Sequence, residues 1–391
     1  MTPASGSIDP IRTNEGNWFA WNTMQKRLPG NIRYTARTNP DFTDPERARL
    51  LELAEAIEVG SRIPEPGATW YDYEWWMRQF EPHRDEHWHD APWFFAETYA
   101  FRLILDASRF FEHGRDPFWY TKKADLDNAH AFAPVRLFSS AETPDDDPGA
   151  RLLRAMEFAT WGNRADLSFS AGTSPERGHG TADLLVVHDE TEALKLLRTA
   201  RRVHIVTDNA GAELAGDLLL IRELLLSGAD VVCHVKYHPT YVSDTTVRDV
   251  HYFLERAGSA GSDAVRAIAR DIQTGFDDER IHLQPDPYWC STLFFPDLPL
   301  RMRRVLETAD LLIVKGDLNY RRVFQDTIWP IGTDVRAAVG TSGLPPMILL
   351  RGMKSDVIWG LDQETVSALD AEDQSWRING KRAVIQVIDL G

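Results

Sequence analysis

Short apolar segments alternate with amphipathic ones from about residue 183 to the end of the chain, and this alternation limits the fold more than any other feature. Strands are predicted at residues 184–187, 203–207, 231–235, 311–315, 347–350 and 384–388, and helices at 191–199, 213–227, 246–257 and from residue 320. Strands that are apolar on both faces and separated by helices form a mostly parallel sheet covered on both sides. The predicted fold is therefore a three-layer α/β/α, Rossmann-like sheet.

The first part of the chain is typical of helices instead. Apolar residues recur at helical spacing over residues 45–60, and residues 93–111 are apolar on most sides, which indicates a buried helix. A further helix is predicted at 152–161. The turn-rich stretch at 174–180 then separates an N-terminal all-helical subdomain, residues 1–178, from an α/β domain, residues 179–391.

The charge balance disfavours some classes of partner. The 391 residues include 43 Lys and Arg against 59 Asp and Glu, a net charge of −16, whereas nucleic acids and anionic membranes attract basic surfaces. Cys233 and Cys290 form no metal-binding or disulfide pattern, and no apolar run reaches the length of a membrane span, ~20 residues. We therefore expect a cytoplasmic protein that binds no nucleic acid and no membrane, while the sequence indicates nothing about its oligomeric state.

Polar side chains follow four of the predicted strands. Ligands of an open parallel sheet bind beyond the carboxyl ends of its strands, so these side chains should meet at one edge. The residues concerned are Asp208 and Asn209 after the second strand, Asp244 after the third, Lys315, Asp317 and Arg321 at the fourth, and Arg351 and Lys354 after the fifth.

The types of these side chains point to one chemistry. Carboxylate and amide oxygens without Cys or His are ligands for a hard cation such as Mg²⁺ or Mn²⁺, and Lys and Arg beside the cation suit a phosphoryl group. Each short motif alone is typical of a turn or a helix cap. Their coincidence at one sheet edge predicts metal-assisted phosphoryl transfer or hydrolysis.

Signatures of other enzyme classes are missing or weak. The sequence has no GxGxxG after its first strand, no P-loop and no GxSxG, which disfavours nicotinamide, P-loop nucleotide and serine-hydrolase chemistry. The segment from His83 to His87 fits the inverted zinc-protease pattern HxxEH, with Glu86 as the acid. Because Pro82 and Pro92 leave little room for a helix, a polar loop is the favoured interpretation.

Several segments resemble the DUF89 damage-control phosphatases, in particular the subfamily that includes acidic residue methyltransferase 1 and related sugar-phosphate phosphatases. These segments are VTDNAGAELAGDL at 206–218, YVSDTT at 241–246, VKGDLNYRR at 314–322 and LRGMKSDVIWGL at 350–361. RLP at 27–29, AETYAFR at 96–102 and TWGNRADLS at 160–168 resemble the helical portion of the same subfamily. The resemblance thus spans nearly the whole chain.

The resemblance implies a set of site residues and a cofactor. It implies a divalent metal, such as Mn²⁺, Mg²⁺, Co²⁺ or Ni²⁺, held by Asp208, Asn209 and Asp244. The substrate contacts that it implies are Lys354 and the segment Asp317, Leu318, Asn319, Tyr320 and Arg321, and Glu213 stands where the subfamily has an S-adenosylmethionine contact. The subfamily's Arg-Thr-x-Lys motif here reads Arg351-Gly352-Met353-Lys354, so the charged ends are kept and the Thr is lost.

The sequence therefore predicts a metal-dependent phosphatase for small phosphorylated metabolites, such as fructose phosphates, with Asp208 and Asp317 as catalytic residues. Lys354 and Arg321, with Lys315, would neutralise the phosphate oxygens. Asp317 would position water or accept a proton, and a covalent aspartyl-phosphate is an open alternative. Two other functions stay open. One is S-adenosylmethionine-dependent carboxyl methylation, although no E/DxGxG loop follows the first strand, and the other is non-catalytic binding of a phosphorylated metabolite, which Gly352 would fit.

Overall fold

A computed structural model describes residues 9–140, 147–162 and 184–391, and these residues form a mixed α/β fold. Its seven-stranded sheet consists of β1 Leu185–His188, β2 Arg202–Val206, β3 Asp230–Lys236, β4 Ile281–Asp286, β5 Leu311–Lys315, β6 Met347–Gly352 and β7 Ala383–Ile388. Their order across the sheet is β1-β7-β6-β5-β2-β3-β4. The predicted mostly parallel sheet is confirmed, since every neighbouring pair except β6 and β7 runs parallel.

The strand β4 is missing from the sequence prediction. It lies at one edge of the sheet beside β3, only its two end residues are buried, and it contains Pro285. Proline has no amide hydrogen and is therefore confined to edge strands and strand ends. A search for continuous apolar runs finds central strands that are buried on both faces, and it misses an edge strand of this kind.

The described residues before the sheet are mainly helical, as predicted. The α-helices are α1 Trp18–Asn22, α2 Leu28–Thr38, α3 Asp44–Glu58, α4 Tyr73–Phe80, α5 Trp93–Ala107, α6 Phe110–His113, α7 Trp119–Asp127, α8 Ala133–Ser140 and α9 Pro148–Trp161. A π-helical turn, Thr23–Arg27, joins α1 directly to α2. The helix predicted at 93–111 ends earlier, because Arg109 has a left-handed backbone conformation (φ 55°) between α5 and α6.

Helices also connect the strands of the sheet. They are α10 Glu190–Thr199, α11 Ala212–Leu226, α12 Val247–Gly258, α13 Asp263–Asp277, α14 Leu300–Leu306, α15 Gly316–Val323, α16 Val335–Val339 and α17 Gln363–Glu372. The sequence prediction lacks α13, although Val265, Ile268 and Ile272 recur there at helical spacing and are buried. No helix in the described part of the chain is long and apolar enough to cross a membrane.

Helices of the first part of the chain lie on both faces of the sheet. One apolar cluster joins residues of α1 to α5 to Val206 and Leu312 of the sheet. The other joins residues of α7, α8 and α9 to Ile205 and Ile313, which point to the opposite face, and α9 packs along α11. The predicted division between residues 178 and 179 lies outside the described residues and stays a prediction.

Two buried histidines on neighbouring central strands form a hydrogen-bonded chain. Trp289 Nε1 donates to His234 Nδ1 (3.3 Å), which leaves His234 Nε2 to donate to His204 Nδ1 (3.0 Å). Burial lowers the pKa of His204 to about 4 and that of His234 to about 3. Both rings are therefore neutral in the fold near pH 7.

We expect acid to destabilise the fold through this histidine pair. In the unfolded chain both rings bind a proton near pH ~6.5. The free energy of unfolding should therefore fall as the pH drops, by about 2 kcal/mol per histidine between about pH 6.5 and pH 5. Replacing both residues by glutamine should flatten this dependence in urea unfolding, whereas His282→Gln, at an exposed position of β4, should leave it unchanged. Equal pH dependence in all three proteins would contradict this expectation.

Candidate active site

Backbone pairing brings the ends of β2 and β3 together. Asp208 and Asn209 follow β2, and the chain after β3 folds back so that Asp244 forms an isolated antiparallel bridge with Asn209. The Thr245 amide donates to the Asp208 carbonyl (2.8 Å), and the Ala210 amide donates to the carbonyl of the residue before Asp244 (2.8 Å). The two carboxylates that the sequence predicts as metal ligands are thus brought to the same point.

The loop that carries Asp244 has an unfavourable backbone and is held from the helical side. Tyr241 and Val242 both have left-handed backbone angles (φ 47° and 67°), which cost about 1–2 kcal/mol per residue outside glycine. The Tyr241 hydroxyl is hydrogen-bonded to Thr98 Oγ1 (2.7 Å), and its ring stacks on Phe101 with the centroids 4.6 Å apart. Helix α5 therefore fixes the loop that positions Asp244.

Three buried carboxylates, those of Asp208, Glu213 and Asp244, lie within electrostatic reach of one another. Burial, and then the charges of the other two, raise the pKa of Asp208 well above its usual range. Burial also raises the pKa of Asp244 to about 6. Lys236 Nζ lies 3.3 Å from Asp244 Oδ2, and this ion pair acts to lower the pKa that burial raises. The chain neutralises this negative charge only in part, which favours binding of a cation.

The Asn209 amide lies between the carboxylates with its nitrogen toward them. Nδ2 donates to Asp208 Oδ2 (2.9 Å) and to Glu213 Oε2 (3.2 Å), while Oδ1 accepts from the Ser243 hydroxyl (2.6 Å). The resemblance implies that Asn209 binds a cation through its oxygen. For this the side-chain amide has to flip by about 180°, so that Oδ1 and Nδ2 exchange places. The Ser243 hydroxyl can then accept from Nδ2, because a hydroxyl both donates and accepts.

The residues present fit a hard divalent cation with few protein ligands. Among the described residues, no group of three or more His, Cys, Asp or Glu side chains is arranged to hold a metal ion. Mg²⁺ is commonly bound by one or two carboxylates and keeps several water ligands. Asp208 and Asp244, with the oxygen of a turned Asn209 amide, meet that demand, whereas a closed zinc site needs His or Cys ligands.

The alternative metal pattern at residues 83–87 does not form an α-helix. Glu81–His83 is a single 3-10 turn, and the His83 ring stacks on Phe95 with the centroids 3.9 Å apart. Burial lowers the pKa of His83 to about 4. This histidine is therefore a neutral packing residue, and it does not share a helix face with His87.

Glycine at position 316 lets the end of β5 pass directly beside Asp208. Its backbone angle is left-handed (φ 82°), and a Cβ at this position would lie 2.1 Å from Asp208 Oδ2. The next residue, Asp317, accepts hydrogen bonds at Oδ1 from Arg351 Nε (2.8 Å) and from the Lys354 amide (3.0 Å). Burial acts to raise the pKa of Asp317, but Arg351 holds it below its usual value. This carboxylate therefore stays ionised.

The segment 317–321 is only partly exposed to the cleft. The members that line it are Asp317, Leu318 and Arg321. Asn319 is buried, and its amide donates to the Thr207 carbonyl (3.1 Å), which ties the segment to the end of β2. Tyr320 is also buried, and its hydroxyl donates to Gln386 Oε1 (2.9 Å) on β7. These two residues therefore support the site from beneath and do not line it.

The basic residues predicted to bind phosphate differ in how far their charge is already neutralised. Lys315 Nζ lies 3.1 Å from the buried carboxylate of Asp217. Arg321 donates three hydrogen bonds to two acidic side chains. Lys354 is half-exposed, and its ammonium group is 4.0 Å from Glu213 Oε1. Lys354 is thus the most accessible of the three, and all three stay predictions as phosphate contacts.

The cleft also contains residues that the sequence analysis does not identify as site residues. The additional side chains that line it are Phe19, Arg27, Trp93, Glu97 and Tyr241. They belong to α1, the π-helical turn, α5 and the loop after β3. The rule that ligands bind at strand ends identifies no residue on a helix. Segments 27–29 and 96–102 resemble the family, but that resemblance implies no role for Arg27 or Glu97.

A second, narrow pocket joins the cleft at Asp208, Asp317 and Lys354 and extends past Gly352 to Trp161. A Cβ at Gly352 would meet no atom within 4 Å. Gly352, where the resemblance implies a Thr, therefore leaves open space beside Lys354.

The same fold occurs in a known structure. A DUF89 family protein from Pyrococcus horikoshii matches this chain with a TM-score of 0.50 at 15% sequence identity, covering 96% of this chain and 99% of the other. At this low identity the match establishes the fold alone. The chain is thus an α/β protein with the DUF89 fold.

Sequence comparison places the chain within a family. The model of the damage-control phosphatase ARMT1-like domain matches residues 23–369. The damage-control phosphatases ARMT1 of Danio rerio, Mus musculus and Rattus norvegicus are 26%, 26% and 27% identical to it over 330, 356 and 352 residues. These alignments cover 76%, 81% and 81% of this chain and 74%, 79% and 79% of the relatives. The chain belongs to the damage-control phosphatase ARMT1-like family, which confirms the resemblance of its motifs.

Gly316→Ala should displace Asp208, because the added methyl group would overlap its carboxylate and alanine disfavours the left-handed backbone. A shift of about 1 Å at a reacting group can cost about 100-fold in rate, so we expect hydrolysis of a phosphate ester to fall by that order. Gly258→Ala is the matched control, since its methyl group also meets no atom within 4 Å and it lies at the end of α12, away from the residues that line the cleft, so it should keep the wild-type rate. Full activity of Gly316→Ala would show that the close contact with Asp208 is dispensable.

Proposed function

We propose that this protein is a metal-dependent phosphatase that hydrolyses small phosphorylated metabolites, sugar phosphates among them. The observation that carries the proposal is the buried pair Asp208 and Asp244, whose negative charge the chain neutralises only in part. Lys354 lines the same cleft and offers a positive group to an anion. Membership of a damage-control phosphatase family supports the reaction type, and the metal and the substrate are our inference from the side chains.

The proposed metal site consists of Asp208, Asp244 and the turned amide of Asn209, and it would hold Mn²⁺, Mg²⁺, Co²⁺ or Ni²⁺. When bound, such an ion supplies a Lewis acid that polarises the phosphoryl group and offsets its charge. Asp208 and Asp244 would hold the ion at the strand ends, within the cleft that also contains Lys354. The ammonium group of Lys354 binds phosphate oxygens as a point charge.

Asp317 is better suited to orienting water than to accepting its proton. Burial acts to raise the pKa of Asp317, but Arg351 holds it below the usual value, and a weak base accepts a proton poorly. Its Oδ1 is anchored by Arg351 Nε, the Lys354 amide and the Ser355 hydroxyl (2.8, 3.0 and 3.1 Å). A carboxylate held in this way has a fixed orientation and could direct its other oxygen toward a water molecule bound in the cleft.

Asp208→Asn should abolish metal-stimulated phosphate release, with a loss of at least about 100-fold, because charge stabilisation at the reacting group is lost. The measurement is phosphate release from a panel of sugar phosphates and a generic ester, with Mn²⁺, Co²⁺, Ni²⁺ and Mg²⁺ compared. Asp263→Asn removes the same charge from a fully exposed position of α13 and should leave the rate unchanged. Near-normal activity of Asp208→Asn with an intact metal requirement would refute the assignment.

Binding measurements on the same purified proteins distinguish a phosphatase from a methyltransferase and from a non-catalytic binding protein. Tight binding of S-adenosylmethionine without metal in titration calorimetry, combined with no phosphate release, would favour the methyltransferase. Binding of a phosphate ester without turnover in the presence of every metal would favour a binding protein.

A further inference from the structure

Both arginines that the sequence nominates for the phosphate site are already engaged inside the fold: Arg351 is buried and paired with Asp317, and Arg321 is held more extensively. Its Nε and Nη2 donate to the two carboxylate oxygens of Asp326 (2.7 and 3.1 Å), and Nη1 donates to Glu97 (3.1 Å). Its guanidinium carbon lies 3.5 Å from the centroid of the Trp93 ring. Two carboxylates therefore neutralise this one cation, and the planar fork that would bind a phosphate is occupied. Lys315 is likewise paired with a buried carboxylate.

Arg27 lines the same cleft as Asp208 and Lys354 and is not held by carboxylates as Arg321 is. It acts on Glu97 at longer range, since burial raises the pKa of Glu97 and the charges of Arg321 and then Arg27 act to lower it. Its side chain is exposed, and no ion pair joins it to a carboxylate within the described ranges of the chain. Its contacts are a long hydrogen bond to Thr23 Oγ1 (3.4 Å) and the face of the Phe19 ring. The Arg27 guanidinium is therefore able to bind an incoming anion.

The π-helical turn places Arg27 on the side of its helix that faces the cleft. Phe19 and Arg27 both line the cleft but are eight positions apart, which in a regular α-helix would separate them by about 80° around the axis. The turn closes with a hydrogen bond from the Leu28 amide to the Thr23 carbonyl and takes up one additional residue. The two side chains then lie about 20° apart, as if separated by seven positions. The guanidinium carbon of Arg27 is 5.3 Å from the Phe19 ring centroid, in agreement with this geometry.

We propose that Arg27, together with Lys354, binds the phosphate group of the substrate, an inference that rests on the proposed function. Arginine binds two phosphate oxygens at once through its planar fork, whereas lysine acts as a point charge. Glu213 raises the pKa of Lys354, and the charge of Arg27 acts in the opposite direction, so the two cations are within electrostatic reach of each other. A phosphate dianion between them removes their mutual repulsion.

Titration calorimetry with orthophosphate, in the presence of Mg²⁺, tests this assignment without turnover. Arg27→Gln should weaken orthophosphate binding about 10- to 100-fold, the loss expected for hydrogen bonds to a charged group, and Arg27→Lys should give an intermediate loss. Lys26→Gln is the matched control, because it removes the same charge from the neighbouring exposed position, which does not line the cleft. Its orthophosphate affinity should equal that of the wild type.

Equal effects of Arg27→Gln and Lys26→Gln, or no orthophosphate binding to the wild type, would overturn the proposal. In turnover measurements, Arg27→Gln should raise the KM for a phosphate ester and the inhibition constant of orthophosphate by a similar factor. If the wild type binds orthophosphate but hydrolyses no ester with any metal, the proposed function fails. A selective loss of orthophosphate binding in Arg27→Gln would still support the role of Arg27 in that case.

Discussion

The close approach of Asp208 and Asp244 is the interaction on which the rest of the site depends. Two carboxylates that are buried together lose hydration and repel each other, so they destabilise the fold unless positive charge comes near. The chain enforces their approach with backbone hydrogen bonds between the ends of β2 and β3. A contrasting cluster lies nearby, where Lys122 Nζ contacts Asp116 and Asp249 directly at 2.6 and 2.8 Å. In that cluster both carboxylates contact the ammonium group at short distance, whereas Lys236 Nζ lies 3.3 Å from Asp244 Oδ2.

The helical part of the chain holds the site as much as the sheet does. From one face, α5 fixes the loop before Asp244 through the hydrogen bond between Thr98 and Tyr241. From the other face, the Ala159 carbonyl of α9 accepts a hydrogen bond from the ammonium group of Lys315 at the end of β5. The candidate site therefore depends on the N-terminal helices as well as on the sheet. Without these helices, the ends of β3 and β5 would lack the contacts that orient them.

The sequence could predict the acidic centre because one general rule covers it. Carboxyl ends of parallel strands meet at one edge, so Asp208, Asp244 and Asp317 could be brought together without knowledge of their contacts. The same reasoning could not show which cations are already neutralised, since Glu97, a partner of Arg321, lies on a distant helix. It also missed β4, because an edge strand lacks the continuous apolar run of a central one. A sequence shows which charges exist, and only the fold shows which of them are paired.

Two irregular backbone segments end at the cleft, and each places one charged side chain there. The left-handed pair Tyr241 and Val242 precedes Asp244, and the π-helical turn ends on Arg27. Irregular backbone of this kind costs stability and is found most often at functional sites. A periodicity of 3.6 residues cannot reveal the turn, because the pattern shifts by one residue at that point. An anion held by Arg27 and Lys354 next to the Asp208 centre would join the first helices to the sheet, and both irregular segments would then serve the same ligand.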